Sequence, residues 1–237
     1  MSPSTLAGAL LDPMLAADPV GPRITYYDDA SGERIELSAV TLANWAAKTA
    51  NLLRDELGAT PGDRVAVLLP AHWQTAAVLL GVWWIGCETV LAGDAELAVC
   101  TRDRLDEADG YVGGGEIAVA SLDPFGRAVD DLPVGLTDFA TAVRAHGDQI
   151  VPERSPGPAL DGAAADEVYA AAQNAAATLG LTRGQRVLST RSWDTGEQLV
   201  NHLLSVFAVG GSLVQVANAD PEKLPRRIET ERVSRVL

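Results

Sequence analysis

The chain has 237 residues, with 18 lysines and arginines against 32 aspartates and glutamates, a formal net charge of −14. Such a surface repels phosphate backbones and anionic lipid headgroups, so neither nucleic acid nor a membrane is expected as a partner. Hydrophobic residues make up 47% and charged residues 21% of the chain, which is typical of a globular protein and excludes a disordered one.

Cysteine usage and the N-terminus indicate a cytoplasmic protein. Cys87 and Cys100 are too few for a disulfide framework or a metal cluster, and we interpret them as reduced core thiols. The N-terminal apolar stretch lacks a basic n-region and is interrupted by Asp12 and Asp18, so it does not resemble a signal peptide. The most apolar run, residues 76–85, is about half the length that a bilayer requires.

The N-terminal part predicts a helix, a hairpin and a second helix. Residues 5–17 have the pattern of a short helix, and residues 23–28 and 33–37 that of two strands joined by a glycine-containing turn. Ser38 is typical of the N-cap of a long amphipathic helix, which Gly58 would end.

A β-α-β unit is predicted next. Residues 64–69 form an unbroken apolar run, which indicates a strand covered on both faces, as in a parallel sheet. Residues 73–85 predict a helix that is apolar nearly all round and therefore buried, and residues 88–92 return as a strand. The crossover between the two strands should be right-handed.

The rest of the chain continues the alternation of strands and helices. Between residues 94 and 158 the pattern is less regular and predicts strands 98–100 and 116–120 and helices 102–108 and 138–145. Beyond it we predict helix 163–179, strand 186–190, helix 196–209, strand 212–216, helix 221–231 and strand 233–237. A chain that ends on a strand is expected to be a truncated form of a larger fold.

Residues 57–93 and 179–216 are two copies of one unit. Their openings, residues 57–65 and 179–187, are identical at six of nine positions with a constant offset of 122. After a two-residue slip the likeness continues more weakly, since Leu80, Val82, Gly86 and Val90 align with Leu204, Val206, Gly210 and Val214. The repeat indicates a common ancestor for the two halves of the chain.

These segments resemble the acyl-CoA synthetases and other adenylate-forming enzymes. The resemblance lies in residues 37–62, in Gly62–Pro70, in Leu80-Gly81 followed by Gly86, and in the second copy, about two thirds of the chain. It also extends to a set of short proteins that carry a shortened AMP-binding domain. It implies one three-layer α/β unit of mainly parallel sheets with helices on both faces, with pseudo-repeated halves at about 1–122 and 123–237 and no C-terminal lid domain.

The chain differs from the family in the segments that carry the family's chemistry. The resemblance places a Ser/Thr-Gly-rich phosphate loop, ending in lysine, at residues 152–162, but this stretch has one serine, no threonine, no lysine and three prolines. The family's later Tyr-Gly-x-Thr-Glu segment and its catalytic lysine have no counterpart, and the two lysines, Lys48 and Lys223, lie in no motif. We therefore predict no catalytic residue and no use of ATP and Mg²⁺.

Two loops are candidates for ligand binding. His72 and Trp73 follow the first strand of one copy, and Arg191, Trp193 and Asp194 follow the first strand of the other, at the carboxyl ends where open α/β sheets place ligands. His72 would act as a base, Arg191 would contact an anion, and Trp193 would form the wall of an apolar pocket. Alternatively, both are helix-entry loops with a packed tryptophan.

Other motifs have simpler interpretations. The cluster at residues 111–116 is interpreted as a turn before a strand, and His146 as a helix-terminal histidine followed by a glycine cap. The alternative for His146 is a pair with Asp148 for acid/base chemistry. His202 is interpreted as a polar-face or core histidine, and no cysteine and histidine spacing predicts a metal site. The consecutive Trp83 and Trp84 favour core packing over a subunit interface.

Three functions follow as hypotheses. The chain is predicted to be a non-catalytic relative of the acyl-CoA synthetases, a pseudoenzyme that binds an acyl compound, CoA, an adenine nucleotide or a protein partner. The first alternative is one half of a split adenylate-forming ligase that another chain completes. The second is a ligand-free scaffold that forms a homodimer.

Overall fold

A computed structural model describes residues 5–237 of the chain, which form two compact units. Of the described residues, the first unit contains 5–8, Ala43–Leu69 and Gln74–Ala165, and the second contains Ala9–Leu42, Pro70–Trp73 and Asp166–Leu237. Each unit therefore takes segments from separate parts of the chain. No helix within residues 5–237 is long and apolar enough to cross a membrane.

Helices and strands alternate along the chain. The first half contains α1 (Leu6–Ala17), β1 (Pro22–Asp28), β2 (Glu33–Ser38), α2 (Ala39–Asp55), β3 (Arg64–Leu68), α3 (Trp73–Trp84), β4 (Glu88–Val90), β5 (Leu97–Thr101), α4 (Leu105–Val112) and β6 (Glu116–Ala120). The second half contains β7 (Thr137–Asp138), α5 (Phe139–Ala145), α6 (Ala165–Thr178), β8 (Arg186–Ser189), α7 (Gly196–Leu199), α8 (Ser205–Ala208), β9 (Ser212–Ala217), α9 (Leu224–Thr230) and β10 (Arg235–Val236).

The first unit is built on a five-stranded sheet in the order β4-β3-β5-β6-β7, in which every pairing is parallel. Residues 65–68 and 97–100 of its central strands are buried throughout, as expected where helices cover both faces of a sheet. The apolar runs in the sequence correspond to these strands because neither of their faces meets water.

The second unit has a five-stranded sheet in the order β10-β8-β9-β1-β2. Strands β10, β8, β9 and β1 are parallel, and the hairpin of β1 and β2 adds the one antiparallel pairing. Gly32 turns this hairpin with a φ of +79°, a conformation that glycine adopts without a steric penalty. Two mostly parallel sheets flanked by helices confirm the predicted α/β class.

The sequence repeat is also a repeat of backbone hydrogen bonds. In the first copy the Glu88 amide donates to the Asp63 carbonyl at 2.9 Å, and in the second the Ser212 amide donates to the Gln185 carbonyl at 2.9 Å. An equivalent hydrogen bond closes the turn before each of these strands. The Cys87 amide donates to the Val82 carbonyl in the first copy, and the Gly211 amide donates to the Val206 carbonyl in the second. Gly86 therefore corresponds to Gly210.

Most predicted elements are present, with three local differences. The helix predicted at 102–108 begins as a 3-10 turn at Arg102–Arg104 and continues in α4 to Val112. The helix predicted at 196–209 contains a π-helical turn, Val200–Leu204, between α7 and α8. The two-residue strand β7 was not predicted, because it is defined by its pairing with β6 rather than by a sequence pattern.

Gly81 allows α3 to approach α2 closely. A Cβ atom at this position would lie 2.9 Å from the carbonyl oxygen of Ala46 and 3.0 Å from the amide nitrogen of Ala50. We expect Gly81→Ala to lower the free energy of unfolding by about 1–3 kcal/mol, the usual cost of overpacking. Urea denaturation measures the change.

The matched control for this change is Gly110→Ala in α4, where an added Cβ meets nothing within 4 Å. Alanine is favoured over glycine within a helix by about 0.5–1 kcal/mol, so we expect this variant to be as stable as the parent or slightly more stable. Equal unfolding midpoints for the parent and Gly81→Ala would contradict the close packing of α2 and α3.

Candidate functional site

Most backbone amides of residues 152–162, all except that of Asp161, have acceptors inside the first unit. The Glu153 amide donates to the Trp84 carbonyl and the Gly157 amide to the Gly86 carbonyl, each at 3.0 Å. The amides of Ala159 and Leu160 both donate to the Ala163 carbonyl. The three prolines in the segment carry no N–H at all.

Two carboxylates bind further amides of the same segment. Oε1 of Glu153 accepts from the amides of Arg154 and Ser155 at 2.7 and 2.8 Å. Oε1 of the buried Glu88 accepts from the Gly162 amide at 2.6 Å. A phosphate loop needs such amides turned toward its ligand, and here acidic side chains of the protein occupy them.

Close packing holds the segment against the end of α3. The indole Nε1 of the buried Trp83 donates to the Ala159 carbonyl at 2.8 Å. A Cβ on Gly157 would lie 2.6 Å from the Cα of Gly62, so the two backbones meet where both residues are glycine. Trp84 is also buried, which agrees with the prediction of core packing for both tryptophans.

In the second unit, the loop after β8 borders a cavity of about 550 Å³, within the range of ligand pockets. Its lining consists of Leu179, Thr190, Arg191, Ser192, Gln198, His202 and Leu237. The loop is pinned by Oε1 of Gln198, which accepts from the Asp194 amide at 2.9 Å, while the Thr195 hydroxyl caps α7 by accepting from the Gln198 amide at 3.2 Å.

Arg191 provides the positive charge of this cavity, and His202 also lines it. The exposed Arg191 side chain forms no hydrogen bond or ion pair with any residue that the structure describes, so it is available to an anion. His202 lies in the π-helical turn, a feature frequently found at functional sites. Burial lowers the pKa of His202, and the positive charge of Arg191 lowers it further.

Three buried polar atoms around this loop have no hydrogen-bond partner among residues 5–237. They are Nδ1 of His202, Nε1 of Trp193 and Oε1 of Gln215, a residue whose Nε2 donates to the Arg191 carbonyl at 2.9 Å. Buried polar groups without a partner are costly in folded proteins. Their grouping near one loop therefore marks it as a site for water or a ligand.

The other predicted loop has a different environment within the same unit. The imidazole of His72 is 2% exposed and packs edge-on against the ring of Tyr26, with ring centroids 4.2 Å apart. Its Nε2 lies 3.7 Å from Oε1 of Glu33, an atom that also accepts from Nε1 of Trp73 at 3.4 Å. Burial lowers the pKa of His72, and the Glu33 carboxylate partly opposes this effect.

The five predicted ligand-binding residues therefore form two groups. His72 and Trp73 share Glu33, whereas Arg191 lines the cavity beside the β8–α7 loop. Trp193 is 2% exposed and Asp194 is exposed, and neither lines the cavity. His202 was assigned to a polar face or the core, and the sequence contained no signal for the π turn that holds it.

His146 pairs with a residue that the sequence analysis did not consider. Its Nε2 lies 2.9 Å from Oε2 of Glu56, and its carbonyl accepts from Nζ of Lys48 at 2.6 Å. It ends α5 in an extended conformation, so the glycine cap predicted after this helix was wrong. Gly113 ends α4 in the left-handed conformation, as a turn before β6 requires. Within residues 5–237 no three potential ligands form a metal site.

The fold is that of the N-terminal domain of acyl-CoA synthetases. The acyl-CoA synthetase of Brucella canis superposes with a TM-score of 0.79 at 19% identity over 98% of this chain. The acetoacetyl-CoA synthetase of Streptomyces lividans superposes with a TM-score of 0.77 at 20% identity over 98% of this chain. The N-terminal domain of FACL13 from Mycobacterium tuberculosis superposes with a TM-score of 0.71 at 18% identity over 97% of this chain. The chain spans 46%, 42% and 61% of these three structures, respectively.

A sequence relative defines the family. The TIGR03089 family protein of Mycobacterium tuberculosis is 65% identical over 241 residues, which cover 100% of this chain and 99% of that protein. The chain therefore belongs to the TIGR03089 family. No protein-family model matches the sequence.

The lowered pKa of His72 predicts a pH dependence of stability. An unfolded chain takes up a proton on this imidazole near pH 6.5, whereas the folded protein does so only at a lower pH. The contribution of His72 to stability is therefore complete above pH 6.5 and decreases as the pH falls toward the folded pKa. We expect His72→Gln to flatten the decrease of the melting temperature between pH 7.5 and 5, and parallel curves for the two proteins would contradict this.

Proposed function

We propose that this protein is a non-catalytic member of the acyl-CoA synthetase fold class that binds an acyl compound or adenine nucleotide at the cavity beside Arg191. The single observation that carries the proposal is the use of the backbone amides at residues 152–162 by acceptors of the protein itself. An adenylate-forming reaction needs these groups for the triphosphate.

The occupied amides oppose nucleotide phosphates through both geometry and charge. A phosphate at this segment would have to displace the carboxylate of Glu153 from two amides and that of Glu88 from a third. Charge-assisted hydrogen bonds of this kind contribute about 1.5–3 kcal/mol each to stability. The carboxylates would in addition repel the incoming phosphates, with no lysine in the segment to offset the repulsion.

The cavity in the second unit has the properties of an anion-binding site. Arg191 offers an unpaired guanidinium, which suits carboxylates and phosphates, and Ser192 and Gln198 add hydrogen-bonding groups. Leu179 and Leu237 supply apolar surface for the body of a ligand. The unpartnered Nδ1 of His202 and Nε1 of Trp193 support a bound molecule or water in this region.

Isothermal titration calorimetry tests the proposed site with AMP, ATP, CoA, a medium-chain carboxylate and its CoA thioester as separate probes. We expect at least one of them to bind and Arg191→Gln to weaken that binding about 10- to 100-fold, because a hydrogen-bonded charge contributes about 1.5–3 kcal/mol. Arg154→Gln, in the exposed part of the other segment, is the matched control and should bind like the parent.

The alternatives give different results in the same measurements. Heat from none of the five probes would contradict a ligand site and favour the scaffold, which a concentration-dependent dimer in sedimentation would support. Equal affinities for the parent and Arg191→Gln would contradict the location of the site.

Pyrophosphate exchange with mixed carboxylic acids separates a binding protein from a ligase. We expect the purified chain to give the background rate in the presence of ATP and Mg²⁺, because most amides of residues 152–162 already have acceptors and the segment contains no lysine. Exchange by the chain alone would contradict the proposal. Exchange that appears only with a second polypeptide would favour the split ligase.

A further inference from the structure

In the first copy of the repeat, residues 153–157 cover the amino ends of β3 and β4. The carbonyls of Trp84 and Gly86 accept the amides of Glu153 and Gly157, respectively. A Cβ on Gly86 would lie 2.8 Å from Cγ of Glu153, so the segment lies directly on this glycine. Part of the surface of the first copy is thus a docking site for a proline-containing stretch of the same chain that carries Glu153.

The corresponding surface of the second copy is open. The offset of 124 that aligns Gly86 with Gly210 also aligns Trp84 with Ala208, and the offset of 122 aligns Gly62 with Gly184. A Cβ added to Gly210 would meet nothing within 4 Å, whereas one added to Gly86 would meet Glu153. Ala208, Gly210 and Gly184 instead border a cavity of about 580 Å³.

The carbonyl groups on this surface lack the donors that their counterparts have. Within residues 5–237, no backbone or side-chain donor reaches the carbonyl oxygens of Ala208 and Gly210, whereas those of Trp84 and Gly86 accept amides of the covering segment. In the first copy the two donors are amides four residues apart with a bend at residues 154–155 between them, so a short peptide can supply both donors. The surface therefore favours a peptide over a small ligand.

The charges around the cavity specify an acidic occupant. Arg183 lies at the position where the first copy has Pro61, so the second copy adds a cation at this surface. Arg23 is 8% exposed and also lines the cavity; its Nη2 donates to the Asp18 carbonyl at 3.0 Å, and its buried Nε has no partner. Against these two cations the lining contains one carboxylate, that of Asp18, 3.7 Å from Nη2 of Arg23.

We propose that the cavity at the amino ends of β8 and β9 binds an acidic, proline-containing peptide segment of a partner protein. The segment lies on Gly184 and Gly210 as residues 153–157 lie on Gly62 and Gly86, and its carboxylate pairs with Arg183. This surface lies at the opposite ends of the strands from Arg191, which follows the carboxyl end of β8. The inference does not depend on the proposed function.

The probe for this surface is a capped acidic octapeptide, Val-Pro-Glu-Gln-Ser-Pro-Gly-Pro, which has the sequence of residues 151–158 with glutamine in place of Arg154. Titration of the isotope-labelled full chain, followed by NMR, should shift the amide signals of Gly184, Ala208 and Gly210. We expect Arg183→Gln to weaken binding about two- to fivefold, as for the loss of one exposed ion pair. The exposed Arg102→Gln is the matched control and should bind like the parent.

A second peptide, with glutamine in place of its glutamate, tests the charge. It should bind the parent about two- to fivefold more weakly and should bind Arg183→Gln with the same affinity as it binds the parent. The absence of shifts at millimolar peptide, or shifts confined to residues 190–198, would overturn the proposal. It would also be overturned if the glutamate and glutamine peptides bound the parent equally well.

Discussion

The docking of residues 152–162 onto the end of α3 is the constraint on which the functional argument depends. Amides of Glu153 and Gly157 donate to carbonyls at the end of that helix, and the buried indole of Trp83 donates back to the Ala159 carbonyl. With the segment held in this way, carboxylates of Glu153 and Glu88 take further amides. The stretch that resembles a phosphate loop by position is thereby used for the internal structure of the first unit.

The two copies of the repeat consequently offer different surfaces. Both copies close the turn between helix and strand with equivalent hydrogen bonds, so their backbones are alike where the sequences agree. They differ in what covers them, because an internal segment covers the first copy and a cavity borders the second. The free guanidinium of Arg191 and the π-helical turn of His202 also belong to the second copy. Both cavities thus lie in the second copy, whereas an internal segment covers part of the first.

Local patterns in the sequence predicted most of the fold, whereas contacts between distant residues decided the site. Strands such as Arg64–Leu68 were predictable because burial on both faces leaves an unbroken apolar run. The prolines of residues 152–162 already indicated that the segment lacks a phosphate loop. The sequence did not indicate that the Gly162 amide donates to Glu88, a residue 74 positions away. The π turn at Val200–Leu204 has no sequence period of its own. Likewise, the pairing of His146 with Glu56 joins residues 90 positions apart.

The most direct measurement of the central claim is an NMR titration of the labelled protein with ATP and Mg²⁺, followed at the amides of Arg154, Ser155 and Gly162. These three amides donate to carboxylates of the protein, so the account predicts that their signals stay unchanged up to millimolar nucleotide. Saturable shifts of the three signals would mean that phosphates displace the carboxylates of Glu153 and Glu88 from these amides. That result would contradict the claim that the segment cannot bind a triphosphate.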